Sequence, residues 1–505
     1  MKLHEILERT VWRLGTNTFL FDGDNSINYK EANRIADCIA GGLLSLGVRK
    51  GDRVAMFSPN SMNYILAMFG IFKAAAIASM IDIRNADSLS YYIDDMKASI
   101  LFHSSEVVEP IRNNTEKMPT VKHYICLDGE IDDSTSWDEL ISSEPLEKEL
   151  EIDDQDPCHL SYTSGTSGRP KGCVLAHGPT ARSTNCIAER LLYNPQDTIL
   201  CPTTLSSSFR LVASDIPGAH RGSSIGVMKT WNPYLALDII NQRQVTVFVG
   251  NPIILKDLLD AAINDGRICS SLRMVLSGGG PVYESLKDGY QKYFKIPLVE
   301  SCGQSEIGGF FGLGYPRMVY DEKISAVGPP LPDKEVKIVD EDDKEVPIGE
   351  SGEIVLRGGF MLGYWQRSEE TADRLRNGWL RSGDAARMDK DRYLYVLGRI
   401  NQRVQSGELS IYPRMLEESM SHHPSIRQVA VIGIPDEKLG EIPKAYVSLY
   451  PGSRVTKDAL IKYFRKAIGK YAPKAIEIIE QMPMTPTGKI SKVELKEREK
   501  ISVSQ

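Results

Sequence analysis

The stretch of the chain with the clearest chemical character is residues 161–172, which read S-Y-T-S-G-T-S-G-R-P-K-G. Its glycines allow backbone angles that are closed to other residues, and they let a ligand approach the main chain. The hydroxyls between the glycines and the ammonium of Lys171 supply the donors and the counter-charge that a polyphosphate needs. The stretch is not a P-loop, because the pattern G-x-x-x-x-G-K counted from Gly165 requires a glycine where Pro170 stands. We therefore interpret it as a phosphate-binding loop of another type.

Two further candidate segments follow predicted strands. Glycines 278–280 come after the apolar run 274–276, and bare backbone at the carboxyl end of a parallel strand is a common place for a flat ligand. The segment Cys302-Gly-Gln-Ser-Glu306 comes after the run 298–300, and Glu306 offers a carboxylate suited to Mg²⁺ beside phosphates. Read alone, the glycines could equally form a tight turn, and Glu306 could be a solvated acid at a helix start.

Charged residues in the last part of the chain complete the candidate set. Arg381-Ser-Gly-Asp384 places an acid after a predicted turn, the arrangement expected for a carboxylate that binds ribose hydroxyls. Arg399 follows the predicted strand 393–397, and Lys489 lies in the Pro- and Gly-containing segment 483–490. A lone lysine in such a tail is ordinarily a surface residue, so Lys489 gains meaning only in combination with the other motifs.

Composition narrows the class of protein. The chain has 505 residues, a formal net charge of −7 and a pI near 5.8, which disfavours a general nucleic-acid binder. Its 8 cysteines include no C-x-x-C pair, a pattern typical of reduced thiols in a cytoplasmic protein rather than of disulfides or a zinc site. We expect no signal peptide, because residues 1–9 contain no apolar core of that type. We also expect no membrane span, because the apolar run 64–81 reads as a buried helix followed by a core strand.

The order of the predicted elements indicates the fold class. Short β-branched runs alternate with helical patterns before residue 334, which predicts βαβ units and a mainly parallel sheet. Closely spaced strands from residue 334 predict a smaller β-rich module, and the segment past residue 398 predicts a small α/β unit of its own. The fold class is therefore α/β, with a large N-terminal body and a small C-terminal domain. We place the boundary at 398–401, which separates residues 1–398 from residues 399–505.

Taken together, the motifs are no longer independent of one another. The glycine loop 162–172, the turn 278–280, the segment 303–306, Ser382-Gly-Asp384, Gly398-Arg399 and Thr487-Gly-Lys489 resemble, in order and spacing, the motifs of the adenylate-forming superfamily. That superfamily contains acyl- and aryl-CoA ligases, the adenylation domains of nonribosomal peptide synthetases and firefly-type luciferases. The resemblance covers essentially the whole chain, from about residue 15 to residue 495. Within the superfamily, the motifs resemble those of acid–CoA ligases most.

The resemblance implies a two-step reaction. ATP would activate a carboxylic acid to an acyl-adenylate with release of pyrophosphate, and coenzyme A would then take the acyl group as a thioester. The implied participants are ATP, Mg²⁺, coenzyme A and a small carboxylic acid, without nucleic acid. Residues 1–398 would bind ATP and the acid, and residues 399–505 would form a mobile domain that carries the catalytic lysine. The activity expected is that of an AMP-forming acid–thiol ligase.

The resemblance also assigns roles to individual residues. Lys489 would contact both the substrate carboxylate and the α-phosphate, Glu306 would hold Mg²⁺, and Lys171 would bind the terminal phosphates. The remaining nucleotide-binding positions implied are Thr163, Ser164, Gly165, Thr166, Ser167, Gly168, Gly278, Gly279, Gly280, Cys302, Gly303, Gln304, Ser305, Asp384 and Arg399.

In this superfamily the C-terminal domain delivers its lysine and then rotates to admit the thiol. The hinge position falls on Asn401, where an Asp or Lys is usual, and Gly407 and Glu408 would belong to the face presented for thioester formation. Cys302 is a second departure, since an aromatic residue that stacks on adenine usually stands there.

The third departure concerns the acid pocket. Where the superfamily has Pro-x-x-His, this chain reads Pro202-Thr-Thr-Leu-Ser-Ser-Ser-Phe209, which assigns Ser206, Ser207, Ser208 and Phe209 to the pocket. With Arg210 and His220 nearby in the sequence, the pocket is expected to be polar, although Arg210 could equally be a surface residue.

Two alternatives to an acid–CoA ligase remain at this stage. The first is an enzyme that adenylates an acid and loads it onto a carrier-protein phosphopantetheine. An amino-acid substrate is disfavoured, because Phe209 is followed by Arg210 and not by the aspartate that holds an α-amine. The second is a catalytically silent nucleotide-binding homologue, which the departures favour and the presence of Lys489 disfavours.

Overall fold

The computed structural model describes residues 1–147, 150–163, 169–316, 323–485 and 488–503. Its strands form four sheets. The strands are β1 Thr18–Asp22, β2 Asn25–Asn28, β3 Arg53–Phe57, β4 Ile77–Met80, β5 Ile100–His103, β6 His123–Cys126, β7 Thr135–Ser136, β8 Pro157–Thr163, β9 Lys171–Ala176, β10 Thr198–Leu200, β11 Ser224–Gly226, β12 Val247–Gly250, β13 Met274–Ser277, β14 Leu298–Gln304, β15 Gly309–Leu313, β16 Glu335–Val339, β17 Ser351–Arg357, β18 Gly363–Tyr364, β19 Leu375–Arg376, β20 Trp379–Met388, β21 Leu394–Arg399, β22 Val404–Ser406, β23 Leu409–Ile411, β24 Ile426–Asp436, β25 Gly440–Leu449 and β26 Ala475–Ile478.

Helices alternate with these strands over most of the chain. They are α1 Ile6–Leu14, α2 Tyr29–Ser45, α3 Met62–Lys73, α4 Leu89–Met96, α5 Val108–Arg112, α6 Trp137–Ile141, α7 His177–Arg190, α8 Ser208–Arg210, α9 Ile216–Arg221, α10 Pro233–Gln242, α11 Pro252–Asp265, α12 Glu284–Tyr293, α13 Ser368–Arg374, α14 Pro413–Ser421, α15 Lys457–Ile468 and α16 Lys492–Val503. A π-helical turn, Leu211–Asp215, joins α8 to α9, and short 3₁₀ turns occur at Ser305–Ile307 and Ile400–Gln402. Within the described ranges, no helix is long and apolar enough to cross a membrane.

Two eight-stranded sheets build the N-terminal body. The first has the order β15-β14-β13-β12-β10-β11-β1-β2 and is parallel from β14 to β1, with an antiparallel strand at each edge. The second has the order β18-β9-β8-β4-β3-β5-β6-β7, and it is parallel from β8 to β7. Parallel strands need crossover helices that cover both faces, and the α/β alternation of the sequence supplies them. The predicted fold class is thereby confirmed.

The two large sheets share one apolar core. Helices α2, α3 and α7 contribute Ile39, Phe69 and Ile187 to a single buried cluster that also contains Leu20 of the first sheet and Met56 of the second. The apolar residues in 29–46 recur at helical spacing, which predicts one buried stripe, and on α2 this stripe faces the core because side chains three and four positions apart share one side of a helix. The sheets are therefore held in a fixed relation, and their carboxyl edges are fixed with them.

Two smaller sheets follow. Strands β16, β17, β20, β19 and β21 form the predicted β-rich module, with antiparallel pairing throughout. The C-terminal domain contains the last sheet, in which β23, β22, β25 and β24 are antiparallel and β26 joins β25 in parallel. Helices α14, α15 and α16 pack on this sheet, and Leu416, Leu460 and Leu495 are buried against it.

Three strands of the structure include positions that the sequence analysis placed outside strands. β14 continues through Gln304, so the Cys302–Gln304 motif lies inside the strand and not after it. β20 runs through Asp384, which we had placed after a turn, and β21 includes Arg399. The polar and glycine residues at these positions favoured a strand end or a turn, but hydrogen bonds from neighbouring strands keep the backbone extended there. The apolar spacing in 457–470 predicts Tyr463 on the buried face of α15, but this prediction is wrong, since Tyr463 is 51% exposed.

Candidate active site

A cleft of about 1150 Å³ lies between the carboxyl edge of the first sheet and the C-terminal domain. Apart from the glycine loop, its wall contains residues from each motif that the resemblance assigns to the nucleotide or to the catalytic lysine. Those residues are Gly279, Gly280, Cys302, Gly303, Asp384, Arg399 and Lys489. The fold therefore brings together motifs that are far apart in the sequence.

The glycine turn after β13 is shaped by close approach on one side and by an open cleft on the other. A Cβ at Gly278 would lie 2.3 Å from Oγ of Ser301 and 2.6 Å from a ring carbon of Phe209. Gly279 has a φ of +77°, and the nearest atom that a Cβ there would meet is Cε of Lys489, at 3.9 Å. Larger residues would either collide or be strained, so bare backbone faces the cleft at this turn.

Asp384 is the centre of a hydrogen-bonded network on the pairing of β20 with β21. It faces Arg399 across the two strands, and Nε of Arg399 lies 3.1 Å from Oδ1 of Asp384. Nε2 of Gln304 donates to Oδ2 of Asp384 at 2.6 Å and to the carbonyl of Ser382 at 2.8 Å. Burial raises the pKa of the Asp384 carboxyl, and Arg399 opposes this shift. A carboxylate held in this way has lone pairs left for two further hydroxyl donors.

Lys489 reaches the cleft from a loop of the C-terminal domain. Its backbone N–H donates to Oγ1 of Thr485 at 3.1 Å, and Nδ2 of Asn251 donates to the carbonyl of Gly488 at 3.4 Å. The Lys489 side chain is exposed to the open cleft and lies among the residues that line it. Desolvation lowers the pKa of Lys489, with Arg399 acting in the same direction and Asp384 opposing it.

Glu306 is 7% exposed and begins a second network. Its Oε1 accepts a hydrogen bond of 2.8 Å from the hydroxyl of Tyr364, and NH2 of Arg374 lies 3.8 Å from the same oxygen. Lys171 Nζ lies 5.6 Å from the ring centroid of Tyr364 and 3.7 Å from Oε1 of Glu370. Tyr364 thus contacts both charges: its hydroxyl bonds to the Glu306 carboxylate, and its ring faces the Lys171 ammonium.

The predicted glycine loop connects β8 to β9. Thr163 faces Lys171 across this hairpin, and its Oγ1 donates to the carbonyl of Lys171 at 3.5 Å. The predicted phosphate-binding residues Ser164, Gly165, Thr166, Ser167 and Gly168 lie outside the described residues.

The predicted acid-pocket segment is anchored at several points. Oγ of Ser206 donates to Oδ2 of Asp82 at 2.8 Å, and the hydroxyls of Ser208 and Ser305 are 3.2 Å apart. The Phe209 ring packs beside Phe310, with ring centroids 6.0 Å apart. Half-exposed Ser207 precedes the first residue of α8.

Two residues expected to make this pocket polar are placed differently. Arg210 is fully buried: its guanidinium lies 3.2 Å from Asp215, and its NH1 donates to the carbonyl of Thr203 at 3.1 Å. His220 lines a different cavity beside α1, where Thr184 is its partner at 3.1 Å. The surface placement considered for Arg210 is therefore wrong, and His220 does not face the Lys489 cleft. The tertiary packing of α7, α8 and α9 decides both positions.

Comparison with known proteins agrees with the geometry. Residues 7–365 match the AMP-binding enzyme family, and residues 415–489 match its C-terminal domain. The chain belongs to the AMP-binding enzyme family. A feruloyl-CoA synthase of Amycolatopsis sp is 32% identical over 94% of both chains, and 4-coumarate–CoA ligase 2 of Petroselinum crispum is 27% identical over 98% of this chain and 94% of the relative. The crystal structure of the anthranilate CoA ligase AuaEII with anthranoyl-AMP superposes with a TM-score of 0.93 at 25% identity, covering 100% and 98% of the two chains.

These comparisons confirm the predicted superfamily and the predicted enzyme class. The AMP-binding enzyme family and its CoA-ligase members correspond to an AMP-forming acid–thiol ligase that uses ATP and coenzyme A. The reaction predicted from the sequence, activation of a carboxylic acid followed by thioester formation, is confirmed at this level.

Some predicted positions of this AMP-binding enzyme are not in the Lys489 cleft. Asn401 lies in the 3₁₀ turn after β21, and it is exposed. Gly407, with a φ of +61°, and Glu408 form the exposed tip between β22 and β23. Their predicted roles concern the hinge and the thiol-accepting state, so a position outside the cleft leaves those predictions open.

Several residues at the site were not predicted. Tyr364 and Arg374 contact Glu306, but nothing in their own segments marks them, because their position depends on the pairing of β18 with β9. Asn251 could have been found, since Asn-Pro after a strand is a typical helix start. Its side chain caps α11 by accepting from the Ile254 N–H at 2.9 Å, and it also reaches the lysine loop.

Proposed function

We propose that this AMP-binding enzyme joins an aromatic carboxylic acid to coenzyme A through an acyl-adenylate. The observation that carries the proposal is the position of Lys489 over Gly279, in one cleft with Asp384 and Arg399. The packing of the C-terminal domain gives no evident reason for its lysine to lie in this cleft. The chemistry does, because a cation there can contact both reacting groups.

Lys489 acts on the electrostatic problem of the first step. The attacking carboxylate and the α-phosphate are both anionic, and two unit charges about 4 Å apart repel by about 4 kcal/mol at an effective dielectric near 20. An ammonium placed between them offsets that repulsion and stabilises the charge that develops in the transition state. The reduced hydration that lowers the pKa of Lys489 also strengthens its interaction with both anions.

The nucleotide is proposed to lie along the N-terminal wall of the cleft. Asp384 accepts hydrogen bonds from the ribose hydroxyls, and Arg399 and Gln304 hold its carboxylate in place. The adenine ring lies against the turn 278–280, where Cys302 and Gly303 supply the neighbouring wall. Lys171, together with the glycine loop, binds the phosphates that leave as pyrophosphate.

The residues around Glu306 fit a divalent cation beside phosphates. One oxygen of the carboxylate, Oε1, accepts from Tyr364, and no described residue donates a hydrogen bond to Oε2. Mg²⁺ prefers one or two carboxylates together with substrate phosphates and water, which is the donor set that a single carboxylate in this position offers. When bound, the cation would neutralise phosphate charge. Ser305, which follows Gln304 at the end of β14, is the predicted phosphate contact next to it.

The proposed acid class rests on the rings beside the turn. Phe209 is half-exposed, contacts the Gly278 position and packs with Phe310, so a flat apolar ring has aromatic neighbours there. The hydroxyl of Ser206 is already bound to Asp82, and the polar contribution of the segment is reduced to Ser207 and Ser208. Three of the proteins that this chain resembles, feruloyl-CoA synthase, 4-coumarate–CoA ligase and anthranilate CoA ligase, carry the names of aromatic acids.

The second half-reaction is proposed to require rotation of the C-terminal domain. We place the domain boundary at 398–401 and the hinge at Asn401, which lies in the short turn between β21 and β22. After rotation, Gly407 and Glu408 would face the acyl group and admit coenzyme A.

A cytoplasmic location is also proposed, since all 8 cysteines of the described chain are free thiols.

A panel of carboxylic acids tests the proposed function. The protein is incubated with ATP, Mg²⁺ and each acid, and pyrophosphate–ATP exchange is measured; coenzyme A or a phosphopantetheinylated carrier protein is then added as acceptor. We expect exchange with hydroxycinnamic or benzoic acids, AMP as the nucleotide product, and an acyl-CoA. Removal of Mg²⁺ by EDTA should stop the exchange.

Each other outcome has a definite meaning. Exchange only with aliphatic acids would refute the aromatic class, and transfer only to the carrier would replace coenzyme A as acceptor. ADP as product, or ATP binding without exchange for any acid, would refute the acid-activating function.

A further inference from the structure

Glu300 is a buried carboxylate that meets cations from two domains. It lies on β14, with its side chain 3% exposed. Nζ of Lys287, on α12 of the same domain, lies 2.7 Å from Oε2, and NH2 of Arg414, on α14 of the C-terminal domain, lies 2.8 Å from Oε1. The Lys287 side chain is 2% exposed and that of Arg414 is 16% exposed. Arg414 is therefore inserted into the N-terminal domain by its charged end.

Arg414 contacts both segments that shape the nucleotide side of the cleft. Glu300 stands two residues before Cys302 on β14, the strand that continues into Gln304. NH2 of Arg414 also lies 3.5 Å from the carbonyl of Val282, which follows the glycine turn. One guanidinium thus joins the C-terminal domain to the strand and to the turn between which the nucleotide is proposed to lie.

The other described contacts between the two domains differ from the Arg414–Glu300 pair. In each of them, either at least one partner is uncharged or the side chains are more exposed. The Tyr283 hydroxyl donates to Oε2 of Glu417 at 3.2 Å, and the N–H of Glu284 donates to Oε1 of Glu418 at 2.9 Å. Arg427 pairs with Asp257 at 3.0 Å, where the side chains are 44% and 22% exposed. A solvent-exposed charge pair adds little free energy to a contact between domains, whereas a desolvated pair adds more. Removing one partner of a desolvated pair also costs more, because the other charge is left buried and unpaired.

We infer that Arg414 is a positioning residue for the adenylation step, holding the C-terminal domain where Lys489 enters the cleft. The inference rests on the proposed two-step function. Guanidinium suits this role because its fixed fork can bond the carboxylate and a carbonyl together. The contact is also reversible, since Lys287 stays with Glu300 when Arg414 leaves. The departing domain then does not leave a buried carboxylate without a counter-ion, which would be costly.

The test separates the two half-reactions in Arg414→Ala, Arg414→Lys and the control Arg427→Ala. Adenylation is measured by acid-dependent pyrophosphate–ATP exchange, and thioester formation by adding coenzyme A to chemically prepared acyl-adenylate. We expect Arg414→Ala to lower exchange by about 30-fold or more, the loss associated with truncating a buried charge pair. Thioester formation should stay within about twofold of wild type. Arg414→Lys should recover part of the exchange, and Arg427→Ala should change neither step by more than about threefold.

A second measurement does not depend on activity. Hydrogen exchange of the full chain should show faster amide exchange in α12 and α14 in Arg414→Ala than in wild type, while the core strands keep their protection. The inference would be overturned if Arg414→Ala lost both half-reactions equally or left adenylation unchanged. It would also be overturned if amide hydrogen exchange in α12 and α14 did not change. If wild type itself shows no acid-dependent exchange, the proposed function fails, and the amide-exchange result still decides whether Arg414 holds the domains together.

Discussion

The two sides of the cleft are built in different ways. On the N-terminal side, Asp384 and Arg399 belong to paired strands, and their side chains bond to each other and to Gln304. On the C-terminal side, Lys489 belongs to a loop in which Thr485 and Asn251 bond to the backbone of Lys489 and Gly488. The Asp384–Arg399 pair of the first side is complete within one sheet, whereas the second side exists only while two domains are in contact.

This difference separates binding from chemistry. A network fixed by sheet hydrogen bonds holds its geometry before the ligand arrives, so little ordering is required on binding. A lysine on a separate domain can be delivered for one step and withdrawn for the next. Changes on the N-terminal side should therefore act on nucleotide affinity, and changes at Lys489 should act on the rate.

The largest effect is expected at Lys489. Lys489→Ala should lower the adenylation rate several-hundredfold, because one preorganised cation at the reacting atoms contributes on the order of 3–4 kcal/mol. The ATP dissociation constant, measured by calorimetry, should stay within about threefold of wild type. Lys462→Ala, an exposed lysine on α15, is the matched control and should retain full activity. A large loss of ATP affinity in Lys489→Ala would contradict the separation.

A smaller and opposite effect is expected at Asp384. Asp384→Asn should weaken ATP binding by about 10- to 100-fold, since hydrogen bonds to a charged group contribute about 1.5–3 kcal/mol. At saturating ATP, the rate should fall much less than the affinity. Asp373→Asn, at an exposed position on α13, serves as control. An unchanged dissociation constant would show that the ribose does not bind this carboxylate.

The pH dependence of adenylation should show the smallest effect. Because burial lowers the pKa of Lys489 below its ordinary 10.5, the ammonium loses its proton at a lower pH, and the rate should fall as pH rises toward that value. Arginine stays protonated throughout, so Lys489→Arg should move this alkaline limb upward by about one pH unit or more, at a lower absolute rate. A limb that does not move in Lys489→Arg would have to be assigned to another group.

Much of the fold was accessible from the sequence because it depends on local pattern. The strand predicted at 274–276 and the helix-to-strand succession predicted in 64–81 are both confirmed. The errors at β14, β20 and β21 have one cause. A polar motif such as Ser382-Gly-Asp384 reads locally as a turn, but partners on both sides keep it extended.

The sequence identified many residues of the site, but it did not show how those residues are arranged in space. Asp384, Arg399 and Lys489 were identified through motif order, whereas Tyr364 was not, since its contact with Glu306 follows from the pairing of β18 with β9. Arg210 shows the same limit: its residue type fits either a pocket or a surface, and burial against Asp215 was decided by packing.

The sequence by itself determined which chemical groups this protein has and in what order they occur, and that order was sufficient for the superfamily and the class of reaction. Only the tertiary structure decided that Lys489 lies in the cleft and that Arg414 pairs with Glu300 inside the N-terminal domain. The physical reason is distance. Electrostatic and hydrogen-bonding effects of this size require groups within a few ångströms, and only packing between distant segments brings them that close.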